Sequence, residues 1–178
     1  MNKSKLVFLT VILSVAVADI PWDQCCELLS DREPETYTFY QDSGRFVGGS
    51  KENDSYIETY GYSGNEEGRN NPDDQCIRNF GVLPAGPYVM DECVNYMHNP
   101  PVLRPCSFPL VPQNESLMCG RDEMVVHGCQ TTSIGDFTVP PAAGCSLGCV
   151  IINFQNRIKL RTGDTLNVEH FDPEGIPQ

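Results

Sequence analysis

The chain has 178 residues, a formal net charge of −12 and nine cysteines. An acidic surface of this kind repels phosphate groups, so it argues against nucleic-acid partners and against adhesion to anionic membranes. The length suits one domain with a sizeable core.

The N-terminus has the pattern of a secretory signal peptide. Lys3 and Lys5 precede an apolar run at residues 6–17 that is too short to span a bilayer, and Ala16-Val17-Ala18 is a small-x-small cleavage site. We predict a signal peptide at residues 1–18 and an extracellular, secreted protein that begins at Asp19. Cleavage removes two basic residues and no acidic residue, which moves the net charge from −12 to −14.

Residues 19–35 are predicted to form a short helix or an arm tethered by disulfides. The β pattern begins after this arm, where strands at 36–40 and 45–48 flank the hairpin signal Asp42-Ser43-Gly44. Gly, Asn and Pro at residues 64–74 indicate a polar loop. Further strands are predicted at 56–62, 87–94, 123–127 and 165–170.

In the second half of the chain, prolines within residues 100–112 favour loops and edge strands. Residues 130–147 indicate a long loop, and loops of that length often carry function. Asn153 is a predicted N-cap for a helix at 154–161. Residues 172–178 are predicted to be a loose tail.

Short strands that do not alternate with helices favour a mostly β fold, a sandwich or a barrel. Since repeats and low-complexity linkers are absent from the sequence, we predict one domain at residues 36–171.

Nine cysteines in a chain of this size indicate an oxidising compartment and a disulfide framework. Four bridges would use eight of them, and the sequence does not choose the connectivity. The ninth is either a reactive thiol or an intermolecular link. The cysteines are Cys25, Cys26, Cys76, Cys93, Cys106, Cys119, Cys129, Cys145 and Cys149.

Two N-x-S sequons, at Asn53 and Asn114, are candidate glycosylation sites. They would matter in a eukaryotic source, and each would then lie on a surface loop.

Cys149 follows a turn of small residues and precedes an apolar segment that must be buried. A thiol in that setting could act as a nucleophile if a base formed its thiolate, and backbone N–H groups of the turn could face a developing oxyanion. His127, at the end of the apolar strand and before a glycine, is the best candidate for the base. The alternative is that Cys149 is half of a disulfide and His127 a polar surface residue, which is the commoner case for each residue type.

Five sequence blocks, in order, resemble the L,D-transpeptidase-like effector family of type VI secretion systems (a DUF2778-like domain). The first two are Gly-Tyr-Ser-Gly at 61–64 with Gly-Arg-Asn-Asn-Pro at 68–72, and Gly-Val-Leu-Pro-Ala-Gly-Pro-Tyr at 81–88. An arginine-bearing strand at 102–105, a Gly-Arg…His-Gly block at 120–128 and a Ser-Leu-Gly-Cys-Val block at 146–150 follow. The resemblance covers residues 37–170 and implies an L,D-transpeptidase-like β-sandwich or barrel, with one short helix after the nucleophile.

The resemblance implies that Cys149 is the nucleophile and His127 its general base. Ser146 and Gly148 would shape the nucleophile turn, with N–H groups around Gly148 holding the oxyanion. Gly128 would let substrate approach the strand end.

Two arginines match the family pattern and have two interpretations each. Arg121 would bind a substrate carboxylate or form a structural ion pair with a nearby acid. Arg104 has the same alternatives, and a structural role is favoured.

The chain departs from the family pattern at two positions. Ile151 stands where related transpeptidases often have an arginine, and Cys129 stands where the family often has an acidic residue. A Cys129–Cys145 disulfide would join the histidine strand to the nucleophile loop and replace that polar tether. This pairing is a hypothesis, and a Cys145–Cys149 bridge would end the catalytic interpretation.

The implied function is that of a cysteine enzyme acting on bacterial peptidoglycan stem peptides, as an L,D-carboxypeptidase or L,D-transpeptidase, with an antibacterial role. We expect a monomer without a cofactor or metal. A zinc site from His127, Cys129, Cys145 and Cys149 is less favoured in an oxidising compartment. A signal peptide and disulfides are unusual for effectors of contact-dependent machinery, so a eukaryotic source is expected. The alternative function is a catalytically inactive, disulfide-rich secreted protein that binds wall fragments or a host partner.

Overall fold

The computed structural model describes residues 24–29, 31–97, 102–129 and 145–175, so the predicted signal peptide lies outside the described residues. Within these segments ten strands form one sheet in the order β3-β2-β1-β10-β5-β7-β8-β9-β4, and β6 pairs with β7. The strands are β1 Thr36–Tyr40, β2 Arg45–Gly48, β3 Ile57–Tyr60, β4 Tyr62–Ser63, β5 Gly86–Met90, β6 Val94–Met97, β7 Val102–Pro112, β8 Val125–His127, β9 Val150–Ile151 and β10 Thr165–Glu169. The helices are α1 Cys25–Leu28 and α2 Phe154–Arg157, with 3-10 turns at Glu66–Gly68, Pro72–Asp74 and Glu115–Met118.

The first and last strands along the described chain, β1 and β10, pair in parallel near the middle of the sheet. Tyr37 and Phe39 of β1 alternate with exposed or half-buried neighbours and are fully buried, and Leu166 and Val168 of β10 do the same. This period-2 alternation places one face of each strand in the core. The predicted bounds of β1 and β2 are confirmed.

Gly61 brings the two ends of the sheet together. It is the residue between β3 and β4, which are the first and last strands of the sheet order. Its N–H donates to the Gly44 carbonyl at 2.8 Å, and a Cβ at Gly61 would meet the Ile151 carbonyl and the Ile152 side chain. The sheet therefore nearly closes into a barrel, and the predicted mostly β fold is confirmed.

Strand β7 corrects the prediction of loops and edge strands at residues 100–112. It is an 11-residue strand that pairs with β5, β6 and β8. Proline has no N–H to donate, but its carbonyl can still accept a hydrogen bond. The Pro109 carbonyl accepts from the Asp91 N–H at 2.8 Å, and the Pro105 carbonyl accepts from Arg157 at 3.1 Å. Prolines are therefore compatible with this strand, which changes its pairing partner along its length. A positive φ of 52° at Cys106 marks an irregularity within the strand.

Helix α2 begins as predicted and ends earlier. The Asn153 side chain accepts from the Asn156 N–H at 2.9 Å, which confirms the cap, but the helix ends at Arg157 rather than at 161. The start of the predicted loose tail is anchored, because Asp172 is buried and forms an ion pair with Arg45 at 3.1 Å.

Four disulfides join Cys25 to Cys106, Cys26 to Cys93, Cys76 to Cys119 and Cys129 to Cys145. The first two tie α1 to β7 and to the turn between β5 and β6. Cys149 is the cysteine outside these bridges and retains its thiol.

The asparagines of both candidate sequons, Asn53 and Asn114, are exposed in turns. Their glycosylation stays a prediction. No helix in the described segments is long and apolar enough to traverse a bilayer.

The disulfide pairing is testable by peptide mapping. After alkylation of the denatured but unreduced protein, we expect the label on Cys149 and four linked peptide pairs that match the bridges above. A peptide that joins Cys145 to Cys149 would contradict both this pairing and a catalytic role for Cys149.

Candidate functional site

Strands β8 and β9 bring His127 and Cys149 together. The two strands are parallel, with Val126 opposite Val150 and His127 opposite Ile151. Cys149 lies two residues before Ile151, so an extended backbone directs it to the same side as His127. Both residues line the same cleft, so the two residues that the motifs singled out lie together in space.

This cleft has a volume of about 260 Å³. At its mouth Arg78 and Asp122 form an exposed ion pair at 3.5 Å, and Leu147 is also exposed. The lining residues are Arg78, Asn79, Arg121, Asp122, Glu123, Met124, His127, Cys145, Leu147 and Cys149.

His127 is buried, and its hydrogen bond to the backbone assigns the tautomer of the ring. Its Nδ1 lies 2.7 Å from the Gly128 carbonyl oxygen. A carbonyl only accepts, so Nδ1 must carry the hydrogen, and the neutral ring then has Nε2 as its proton acceptor. The ring can therefore take a proton at Nε2 while the backbone fixes its orientation.

Two serines hold the turn at residues 146–149, which contains the predicted nucleophile Cys149 and is called the nucleophile turn below. Ser146 donates to the Cys149 carbonyl at 2.6 Å and accepts from the N–H groups of Gly148 and Gly64 at 3.0 and 3.1 Å. Ser63 donates to the Gly148 carbonyl at 2.9 Å and accepts from the Leu83 N–H at 2.7 Å. Both hydroxyls are buried and anchor the turn to the segments at 63–64 and 83.

The Ser146 contacts bear on the oxyanion, which N–H groups around Gly148 and Cys149 were expected to hold. One of these groups, the Gly148 N–H, donates to Ser146 Oγ, and the oxyanion role of this turn stays a prediction. In this conformation the Gly148 N–H shapes the turn. Ser63 was not singled out as a site residue, although it lies in the first block of the family resemblance.

Arg121 is buried and binds backbone carbonyls. Nη1 donates to Gln75 and Val82, and Nη2 donates to Gly81 and Leu147 at 2.9 and 3.0 Å. Since these bonds occupy all four terminal N–H groups, the guanidinium has no bidentate face open to a carboxylate in this conformation, and the binding of a substrate carboxylate stays a prediction. Within the described residues it forms no ion pair either.

Gly148 is small because Arg121 lies against it. Its φ is +134°, and a Cβ would meet the Arg121 guanidinium and Met124 Sδ. A glycine is therefore required at position 148 for two reasons: the positive φ and the close approach of the Arg121 guanidinium.

Gly128 has a similar neighbour, Arg157. A Cβ at Gly128 would meet the Arg157 guanidinium at 2.6–2.8 Å, so close packing by itself requires a glycine here, and the expected role in admitting substrate stays a prediction. Arg157 is buried and donates to the carbonyls of Pro105, Cys106 and Ile152, and burial lowers its pKa. Arg157 was not predicted as a site residue, because the carbonyls of Pro105 and Cys106 that it binds are distant in sequence.

The Cys129–Cys145 disulfide joins the residue after His127-Gly128 to the start of the nucleophile turn. The hypothesis of a covalent tether is confirmed in this structure. No cluster of potential metal ligands occurs in the part of the chain that is described. The Arg104 side chain lies outside the described residues, so its role stays a prediction.

Comparison with known proteins gives one family and a structural likeness. The family model described as the Tlde1 domain matches residues 58–171. No curated protein matches the chain. A crystal structure of an L,D-transpeptidase (Yku) from Stackebrandtia nassauensis is similar with a TM-score of 0.46 and 15% sequence identity, over 84% of this chain and 65% of that chain. The chain thus spans slightly less than two thirds of that protein's length.

The contact between Gly148 and Arg121 is testable against a matched glycine. Gly120 also has a positive φ, of +70°, but a Cβ there meets nothing within 4 Å. We expect Gly120→Ala to lower the free energy of unfolding by about 1 kcal/mol through backbone strain alone, and Gly148→Ala by about 3 kcal/mol or more. Urea denaturation with the disulfides intact measures both, and equal losses would contradict the close packing of Arg121.

Proposed function

Because the chain belongs to the Tlde1 domain family, we propose that it is an L,D-transpeptidase-like enzyme acting on bacterial peptidoglycan stem peptides. This is the effector family that the order of the sequence blocks indicated, so that prediction is confirmed. The observation that carries the proposal is the thiol of Cys149 and the oriented ring of His127 lining one cleft.

In the proposed first step, His127 Nε2 takes the thiol proton and Cys149 Sγ attacks the carbonyl carbon of the bond before the terminal D-alanine. The tetrahedral intermediate collapses to a thioester as the C–N bond breaks. The imidazolium returns the proton to the leaving amine, and D-alanine departs. The Nδ1–H bond to Gly128 supports this cycle because it keeps Nε2 as the basic nitrogen.

The second step resolves the thioester. Attack by water, deprotonated by His127, yields a tripeptide stem, which is L,D-carboxypeptidase action. Attack by an amine yields a new amide, either by exchange with a D-amino acid or by cross-linking to another stem. Each outcome consumes stems that a growing wall needs as donors, which supports a proposed antibacterial role.

We further propose that the protein acts outside the cell. Four disulfides require an oxidising compartment to form and persist, and the apolar N-terminal run has signal-peptide character. A protein in that compartment can meet peptidoglycan directly.

The test uses purified muropeptides with tetrapeptide stems and follows released D-alanine by mass spectrometry. We expect release by the wild type, no release by Cys149→Ala, and a reduction of about 10²–10⁴-fold in His127→Ala. His170→Ala is the matched control, because His170 is exposed and bonds Gln41, outside the cleft. This control should keep wild-type activity.

Adding a D-amino acid to the same reaction separates the two resolving steps, since exchange gives a stem of changed mass. Equal products from the wild type and Cys149→Ala would refute the enzyme proposal. An inactive wild type that still binds muropeptides would favour a binding protein.

A further inference from the structure

Arg121 carries a buried positive charge that no carboxylate balances among the described residues. Arg32 and Arg45, two other arginines with little exposed surface, pair with the buried carboxylates of Asp164 and Asp172. The Arg121 guanidinium contacts four backbone carbonyls instead. Arg157 also binds backbone carbonyls without an ion pair among the described residues, but it does not line the cleft. Carbonyl dipoles satisfy the four terminal N–H groups of Arg121, while its buried Nε has no hydrogen-bond partner among the described residues. The net charge stays in a poorly solvated site, which costs several kcal/mol unless an anion lies nearby.

The nucleophile turn provides the place for such an anion. The guanidinium fills the space beside Gly148, the residue before Cys149, and donates to the Leu147 carbonyl at 3.0 Å. Arg121 and Cys149 also line the same cleft. A negative charge on Sγ would therefore form close to a fixed cation that needs no reorganisation to receive it.

We propose that Arg121 is a positioning residue that stabilises the thiolate form of Cys149, in addition to the proton acceptor His127. Its guanidinium holds the turn through Leu147 and supplies the charge that favours the anion. The importance of this role for catalysis rests on the function proposed above.

The electrostatics of Arg121 agree with this role. Burial lowers the pKa of the guanidinium, and the nearby Cys149 acts in the opposite direction and raises it. By reciprocity, the cation favours loss of the thiol proton.

The other charged groups at the cleft do not replace Arg121. Arg78 and Asp122 form an exposed pair whose charges offset each other. Glu123 is exposed and opposes a thiolate, but solvent screens its charge. The buried ionisable groups that line the cleft beside Cys149 are Arg121 and His127.

The test measures the rate of iodoacetamide alkylation of native protein between about pH 5 and 10, which reports the pKa of the Cys149 thiol. We expect Arg121→Gln to raise that pKa by about one unit or more, a roughly tenfold loss of thiolate at neutral pH. Arg121→Lys retains the charge and should keep the pKa near the wild-type value. Arg78→Gln is the matched control, because it removes an exposed charge from the same cleft, and it should shift the pKa only slightly.

If the role of Arg121 were purely structural, the Gln and Lys variants would shift the thiol pKa of Cys149 by similar amounts. A wild-type pKa in Arg121→Lys therefore separates an electrostatic role from a structural one. An unchanged thiol pKa in folded Arg121→Gln, checked by near-UV circular dichroism, would overturn the proposal. If Arg121→Gln does not fold, the thiol pKa of Cys149 is measured in His127→Ala instead, where Arg121 is still present. Its thiol pKa is expected to stay below the ordinary value of about 8.5, and a value at or above it would overturn the proposal.

Alkylation needs no substrate, so the two proposals can fail separately. Dependence of the thiol pKa on Arg121 without D-alanine release would refute the enzyme function and leave the thiolate stabilisation standing. D-alanine release together with a thiol pKa that does not change in Arg121→Gln would refute the thiolate stabilisation and leave the enzyme function standing.

Discussion

Two buried guanidinium groups hold the cleft together, and each fills the volume that a glycine beside a site residue leaves open. Arg121 lies against Gly148 and Arg157 against Gly128. Hydrogen bonds that involve a charged group contribute about 1.5–3 kcal/mol each, so several bonds per arginine offset much of the cost of burial. The precise positions of the nucleophile turn and the His127 strand depend on these contacts.

The rest of the fold supplies the partners for these arginines. Arg157 lies in a short helix after β9 and reaches the irregular part of β7, where a positive φ at Cys106 accompanies carbonyls that the guanidinium binds. Arg121 reaches back to the loop before β5. A nearly closed sheet makes both approaches possible because it places β4, β9, β8 and β7 side by side. The Cys129–Cys145 disulfide then joins the two site segments covalently.

Local patterns predicted the local structure well. Alternating residues and a hairpin signal fixed β1 and β2, and Asn153 capped its helix as expected. Local rules failed in β7, where prolines suggested loops, because the strand changes partners along its length and its prolines act as acceptors. They also could not reveal what packs against Gly128 and Arg121, because the neighbours of both residues lie far away in sequence. Arg157 and Pro105, for example, are in contact although they are 52 positions apart.

The sequence by itself determined the odd number of cysteines and the ordered blocks that indicated the family, and the resemblance of those blocks implied the proposed pairing of Cys149 with His127. Residue types and their order suffice for the first two because they are properties of the chain. Only the tertiary structure decided which cysteines pair, which nitrogen of His127 carries the hydrogen, and that Arg121 binds carbonyls rather than a carboxylate. Each of these depends on strand register and on contacts between distant segments, which no local pattern encodes.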